Sequence, residues 1–218
     1  MTVEERAAEL ALIERRALVC TDCRLASGRT NVVFGSGEPD ADLMFVGEGP
    51  GQREDELGLP FVGRSGELLD QLLGEIDLRR DQVYIANVVK CRPPGNRDPQ
   101  QDEIDACKGY LRDQLRLVDP KVVVTLGNFS TKLLLRTEVG ITRLRSVVYE
   151  WWGRYLVATF HPAAALRGGP AKLEEMRTDF ALVRMVLDGN LRTEQPAPPG
   201  GTAAPVVPDS EQLGLFGG

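Results

Sequence analysis

Apolar positions along the chain follow two periods, and the two alternate. Over Val3–Val19 the residues Ala7, Leu10, Ile13 and Leu18 fall near helical spacing, which predicts a first helix. Asp42–Val46 is instead a short, nearly unbroken apolar run that ends in glycine, the pattern of a buried strand. Ser65–Ile76 returns to the helical period, with Leu68, Leu69, Leu72, Leu73 and Ile76 on one stripe. Val83–Val89 predicts the next strand. Gln100–Val118 predicts a helix entered through Asp98-Pro99, a capping residue followed by a proline suited to a first turn. Lys121–Leu126 reads as a third buried strand, and Gly127-Asn128 opens a helix around Phe129–Arg136. Val147–Trp151 and Tyr155–Phe160, joined through Gly153, read as a hairpin. Lys172–Leu187 closes the pattern with Leu173, Met176, Phe180, Val183 and Leu187 on one face.

Strands that alternate with helices imply an α/β fold, here a three-layer α/β/α sandwich with a mostly parallel central sheet. One such domain accounts for residues 1–188. Residues 189–211 then turn to Pro, Gly, Ala and Thr with almost no large apolar side chain, a linker that cannot offset the entropy of ordering. The linker ends in Gln212-Leu213-Gly214-Leu215-Phe216, apolar groups on a tether, as expected of a peptide that docks on a partner.

Composition narrows the classes. The chain has 218 residues and a formal charge of −6, enough for one substantial core and mildly against a nucleic-acid-coating protein. Between Lys132 and Lys172, however, the charges are mostly basic (Arg136, Arg143, Arg145, Arg154 and Arg167), and a local basic face can still neutralise phosphates. No apolar run approaches the roughly 18–20 residues of a membrane span, and Met1–Arg16 lacks the apolar centre of a signal peptide. A cytoplasmic protein is expected.

Four cysteines stand at Cys20, Cys23, Cys91 and Cys107. The first two form a Cys-x-x-Cys pair, the third lies just past the second strand, and the fourth lies in the helix after it. Four thiolates suit a four-cysteine zinc site or an iron–sulfur cluster, and spacing alone does not separate them. Disulfides, which a reducing cytosol disfavours, or buried free thiols are the remaining readings. A metal held there would staple the amino-terminal segment to the body.

Three polar features fall where strands run out, and ligands of open α/β sheets bind beyond the carboxyl ends of their strands. They are Gly47-Glu48-Gly49-Pro50-Gly51, Asn87, and His161-Pro162; His161 is the only histidine in the chain. Glycines 47, 49 and 51 let backbone N–H groups approach a ligand closely. The turn is neither a Walker motif nor G-x-G-x-x-G. Phe61, in Gly58-Leu59-Pro60-Phe61-Val62-Gly63, either offers a ring as a stacking surface or packs in the core.

Taken in order, GEGPGxxED, GLPFVGRSGxLLD, NVVKCRPPGNRDP and HPAAxLR resemble a family 4 uracil-DNA glycosylase of the thermostable, iron–sulfur type, over roughly residues 17–187. The resemblance implies a [4Fe–4S] cluster, structural rather than catalytic, on Cys20, Cys23, Cys91 and Cys107. It implies a substrate of deoxyuridine in single- or double-stranded DNA, flipped out of the stack. Gly47, Glu48, Gly49, Phe61, Asn87 and His161 would then form the uracil pocket, with Phe61 stacking on the base. The Asn87 amide would donate to O4 and accept from N3–H, a pattern cytosine reverses. His161 would donate to O2, where charge develops as the glycosidic bond breaks. Glu48 is the first candidate for orienting water, and Glu54 the second, or a wall against the thymine methyl; both carboxylates could also simply cap the following helix. The stretch from His161 to Arg167 resembles the family's DNA-intercalation loop, with Leu166 as wedge and Arg167 on a phosphate; Arg92 and Arg97 are further phosphate candidates. Gln212, Leu213, Leu215 and Phe216 resemble a bacterial sliding-clamp-binding peptide. These readings make the protein a monomeric, nucleoid-associated repair enzyme. Two others stand beside it: a relative that traps itself covalently on uracil-DNA, for which this chain lacks the second histidine, and a non-catalytic DNA-binding module tethered to the clamp.

Overall fold

The computed structural model describes residues 1–190. The linker beyond Asn190 and the peptide at Gln212, Leu213, Leu215 and Phe216 lie outside the described residues. Six strands form one sheet in the order β1-β3-β2-β4-β6-β5. They are β1 Ser36–Gly37, β2 Leu43–Gly47, β3 Tyr84–Asn87, β4 Val122–Leu126, β5 Val148–Trp151 and β6 Arg154–Thr159. The four inner strands β3, β2, β4 and β6 are parallel, and each edge strand runs antiparallel to its neighbour. The helices are α1 Val3–Leu18, α2 Gln52–Leu57, α3 Arg64–Glu75, α4 Gln101–Val118, α5 Asn128–Leu135, α6 Ile141–Leu144 and α7 Pro162–Leu187.

The strand period of two sorts side chains onto two cores. From β2, Met44 and Val46 join Ala86, Val123 and Leu156 in one apolar cluster with Leu10, Ile13, Leu111 and Leu115 of α1 and α4. Leu43 and Phe45 face the other way, into a cluster with Ile85, Val122, Val124 and Val157 beneath Leu69, Leu72, Leu73, Met176 and Phe180 of α3 and α7. Helices therefore cover both faces, as the alternation of periods requires. No helix among the described residues is long and apolar enough to cross a membrane.

Several local expectations change. Asp98 does not cap α4: the N-cap is Gln100, which exchanges hydrogen bonds with Glu103 in a capping box. The strand expected over Val83–Val89 is Tyr84–Asn87, and the next two residues still donate to Gly47 O and Glu48 O. The hairpin turns on Trp152 and Gly153, both at positive φ (53° and 72°), the two-residue geometry that matches strand twist. The final helix begins at Pro162 rather than near Lys172, but Gly169 at φ 74°, ψ −165° interrupts it just before Pro170. The segment of Leu166 and Arg167 is thus a short helical arm, not an open loop.

Candidate active site

A cavity of about 1060 Å³ opens beyond the carboxyl ends of the inner strands, with Glu48, Phe61, Asn87, Leu126 and His161 in its wall. Gly47 and Asn87 are direct partners in the β2–β3 register, so the turn and the amide are held side by side. Asn87 is buried, and no protein group among the described residues donates to its Oδ1. Asn87 lines the cavity, so this oxygen is placed to accept from a ligand donor. Glycine at 47 is what makes room. A Cβ there would stand 2.3 Å from Asn87 Oδ1 and 2.9 Å from the Phe61 ring.

Phe61 is buried with φ at 51°, a left-handed conformation uncommon for a bulky residue. Three contacts hold it there. Gly66 lets its backbone approach, since a Cβ at 66 would fall 1.8 Å from Phe61 O. Arg80 donates to the Pro60 carbonyl. Glu54 Oε1 accepts from the N–H groups of Val62 and Gly63, at 3.0 and 3.3 Å. Glu54 thus braces the Phe61 loop through Oε1 while its carboxylate also lines the cavity. The Phe61 and His161 rings lie 5.5 Å apart, tilted by 31°.

His161 is the N-cap of α7, where Pro162 suits the first turn. The N–H of Ala163 donates to its Nδ1 at 3.1 Å, so the imidazole proton sits on Nε2. Burial pushes its pKa down to about 4, with Arg167 adding to the effect and Glu54 opposing it. Near pH 7 it is a neutral N–H donor with fixed orientation. Gly127, at φ 96°, lets the β4–α5 turn close against it, because a Cβ there would meet His161 Cβ at 3.0 Å.

Glu48 is half-buried, and its pKa is raised to about 7, chiefly by burial and further by the charge of Asp98. A carboxylate poised near neutrality is suited to take a proton from water. Gly49 packs tightly, since a Cβ there would stand 2.8 Å from Val89 Cγ2.

Around the mouth, Leu166 is 40% exposed and Arg167 lines the cavity. Arg97 lines it too, but both its terminal nitrogens are committed to Glu103, at 2.8 and 2.6 Å. Arg92 lies off the cavity wall and donates to Asn96 Oδ1 at 2.7 Å. Sequence reasoning missed the contribution of α5, whose Asn128, Phe129 and Lys132 form a further wall. The signal was present: Gly127-Asn128 follows β4 as His161-Pro162 follows β6.

All four cysteines are free thiols, and three of them meet at one apolar cluster. Cys91 and Cys107 are buried in one apolar cluster, and Cys23 packs against it. Burial raises the pKa of Cys91, with Cys23 and Cys20 adding to the rise, and Cys107 is pushed up to about 11 by burial. Arg29 donates to Cys91 Sγ at 3.4 Å, and the Lys90 N–H donates to Cys107 Sγ at 3.3 Å. Among the described residues, no three His, Cys, Asp or Glu side chains stand as the ligands of a single metal ion.

The profile of the Uracil DNA glycosylase superfamily matches residues 34–181. The type-4 uracil-DNA glycosylase of Sulfurisphaera tokodaii is 46% identical over 185 residues, covering 80% of this chain and 83% of that protein. Those of Thermotoga maritima and Archaeoglobus fulgidus are each 43% identical, covering 77% of this chain and 88% of the relative.

Proposed function

The chain belongs to the uracil DNA glycosylase superfamily, and we propose that it hydrolyses the N-glycosidic bond of deoxyuridine in DNA, the first step of base-excision repair. The observation that carries the reading is the Oδ1 of Asn87, which accepts from no protein group among the described residues and is buried beside an aromatic ring and a fixed imidazole donor. Uracil supplies a donor, N3–H, and accepts at O4 from the same amide. Cytosine has an acceptor at N3 and a donor at N4, so each contact would become a clash of like groups. Phe61 stacks on the base face.

The reaction then follows from the donors in place. As the C1′–N1 bond breaks, its electron pair passes to the uracil and the sugar becomes cationic. Nε2–H of His161 stabilises the charge at O2, an effect worth about 3 kcal/mol in comparable oxyanion sites. Water adds to C1′ and gives its proton to Glu48. Glu54 acts as the brace of the Phe61 loop. Leu166 fills the gap left by the extruded base, and Arg167 and Arg92 meet phosphates. With no second histidine in the chain, turnover is favoured over covalent trapping.

Cys20, Cys23, Cys91 and Cys107 would hold a [4Fe–4S] cluster. The N–H donors aimed at Cys91 Sγ and Cys107 Sγ suit sulfurs held as thiolate ligands, and the resemblance to type-4 enzymes favours iron–sulfur over zinc. When bound, the cluster cross-links the segment after α1 to the Asn87–Cys91 segment and α4. Beyond the described residues, Gln212, Leu213, Leu215 and Phe216 would dock on a sliding clamp and raise the local enzyme concentration through the tether.

The test is an oligonucleotide carrying one uracil, incubated with chelator and then alkali. Strand scission by the wild type, strongly reduced in His161→Ala, is expected. An intact strand despite a folded, DNA-binding protein would favour the non-catalytic module.

A further inference from the structure

Lys90 is 1% exposed, and its ammonium contacts no carboxylate among the described residues. Burying such a charge is costly unless the surroundings compensate, so its contacts identify its task. Nζ donates to the main-chain oxygen of Asn87 at 2.7 Å and to Oε1 of Gln114, and it lies 5.8 Å from the centre of the Phe34 ring. Gln114 is itself fixed, donating to Phe34 O at 2.8 Å and to the Tyr84 hydroxyl at 3.2 Å. Lys90 also reaches the cysteine centre through its main chain. Its own N–H donates to Cys107 Sγ.

Lys90 thus sits in a five-residue strap, Asn87 to Cys91, with the pocket at one end and the cysteine centre at the other. The strap is pinned to the glycine-rich turn, because the N–H groups of Val88 and Val89 donate to Gly47 O and Glu48 O at 3.0 and 3.1 Å. It is pinned from outside by Val33 N–H on Lys90 O at 2.8 Å. Lys90 thus touches both ends of the strap, with its N–H on Cys107 Sγ and its Nζ on Asn87 O.

We infer that Lys90 is a positioning residue: its ammonium holds the Asn87 carbonyl, and with it the amide that reads the base, in register with the four-cysteine centre, so that base binding and cluster retention are coupled. When Cys91 and Cys107 are held as cluster ligands they fix one end of the strap, and the Lys90 ammonium on Asn87 O fixes the other. The inference rests on the glycosylase reading of the pocket.

Coupling between two sites is reciprocal in free energy. If the cluster holds the pocket, then uracil in the pocket holds the cluster. The test uses full-length, cluster-containing protein, with free uracil as the probe. Chelator-driven cluster loss is followed by the decay of visible absorbance, with and without saturating uracil. Uracil should slow the decay about fivefold or more, the lower range of such couplings. In Lys90→Met the protection should vanish and uracil should bind about tenfold more weakly, while affinity for uracil-free DNA stays unchanged, a pattern that general destabilisation would not give. Gln114→Met, which removes one anchor of the ammonium and keeps the other, should give a partial effect and serves if Lys90→Met does not fold. Equal decay with and without bound uracil in the wild type would overturn the inference, as would wild-type uracil affinity in Lys90→Met. Wild-type protein that neither excises nor binds uracil would instead overturn the glycosylase reading on which it rests.

Discussion

The neutral imidazole of His161 makes the most quantitative demand on experiment. In the unfolded chain a histidine protonates at 6.5, whereas in the folded protein burial and the nearby Arg167 hold that event down to about pH 4. Between those values the unfolded state binds more protons than the folded one, so stability falls as the pH is lowered through that window. A tenfold change in proton affinity is worth about 1.4 kcal/mol, so the full window is worth about 3 kcal/mol. The chain has one histidine, so its imidazole resonances are assigned by default. The ring should titrate near 4 in the folded protein, with 15N shifts above that pH showing the proton on Nε2. Urea unfolding at pH 7 and pH 4, compared between wild type and His161→Asn, should show the wild type losing about 3 kcal/mol more than the variant. The comparison cancels the carboxylates that also titrate there. A midpoint near 6.5, or equal losses in both proteins, would refute the argument that a buried neutral donor is built into the fold.

Four further outcomes follow from the same structure. With Glu48 near 7, kcat/KM should rise about tenfold per pH unit below neutrality and level off above it; Glu48→Gln should erase that limb and lower activity by about 10²–10⁴-fold. The same carboxyl, protonated more readily when folded than its ordinary 4.5, makes stability fall as pH rises from there to about 7, which urea midpoints of wild type and Glu48→Gln will compare. Gly47→Ala should reduce uracil excision by more than about 100-fold while circular dichroism stays native, because its Cβ displaces Asn87 and Phe61 together. Cys107→Ser should yield protein with little visible absorbance and a urea midpoint well below wild type; equal midpoints would show that the centre does not staple the fold.

How much of this was legible beforehand depended on whether a feature is local. The inner strands and the long helices announced themselves, because a sheet covered on both faces needs apolar runs and each covering helix needs a stripe. β1 is two residues long and α2 is six mostly polar residues, too short for either period to register. The early start of α7 was hidden by Gly169 and Pro170, which read as a break although helical geometry exists on both sides of it. Of the site, His161, Asn87 and the glycine-rich turn were visible because each ends a strand. The task of Glu54 was not, since a carboxylate eight residues before the amide it braces looks like any surface acid in a helix. Nor was the commitment of Arg97 to Glu103, or the isolation of Lys90 from every carboxylate among the described residues, because sequence shows charges but not their partners.

The cavity gathers residues in uncommon states. Phe61 holds a left-handed backbone, which costs about 1–3 kcal/mol. Asn87 Oδ1 accepts from no protein group among the described residues, and Glu48 titrates far above an ordinary glutamate. These states persist because stiff neighbours over-determine them: Gly66 and Glu54 around Phe61, the strand register around Asn87, and the α7 N-terminus around His161. A base with a donor at N3 and an acceptor at O4 matches the Asn87 amide at both atoms, and one with the reverse pattern meets like groups at both. On the proposed reading, discrimination comes from an amide whose pattern the strand register fixes in advance, and the N-cap of α7 likewise fixes the imidazole donor before the bond begins to break.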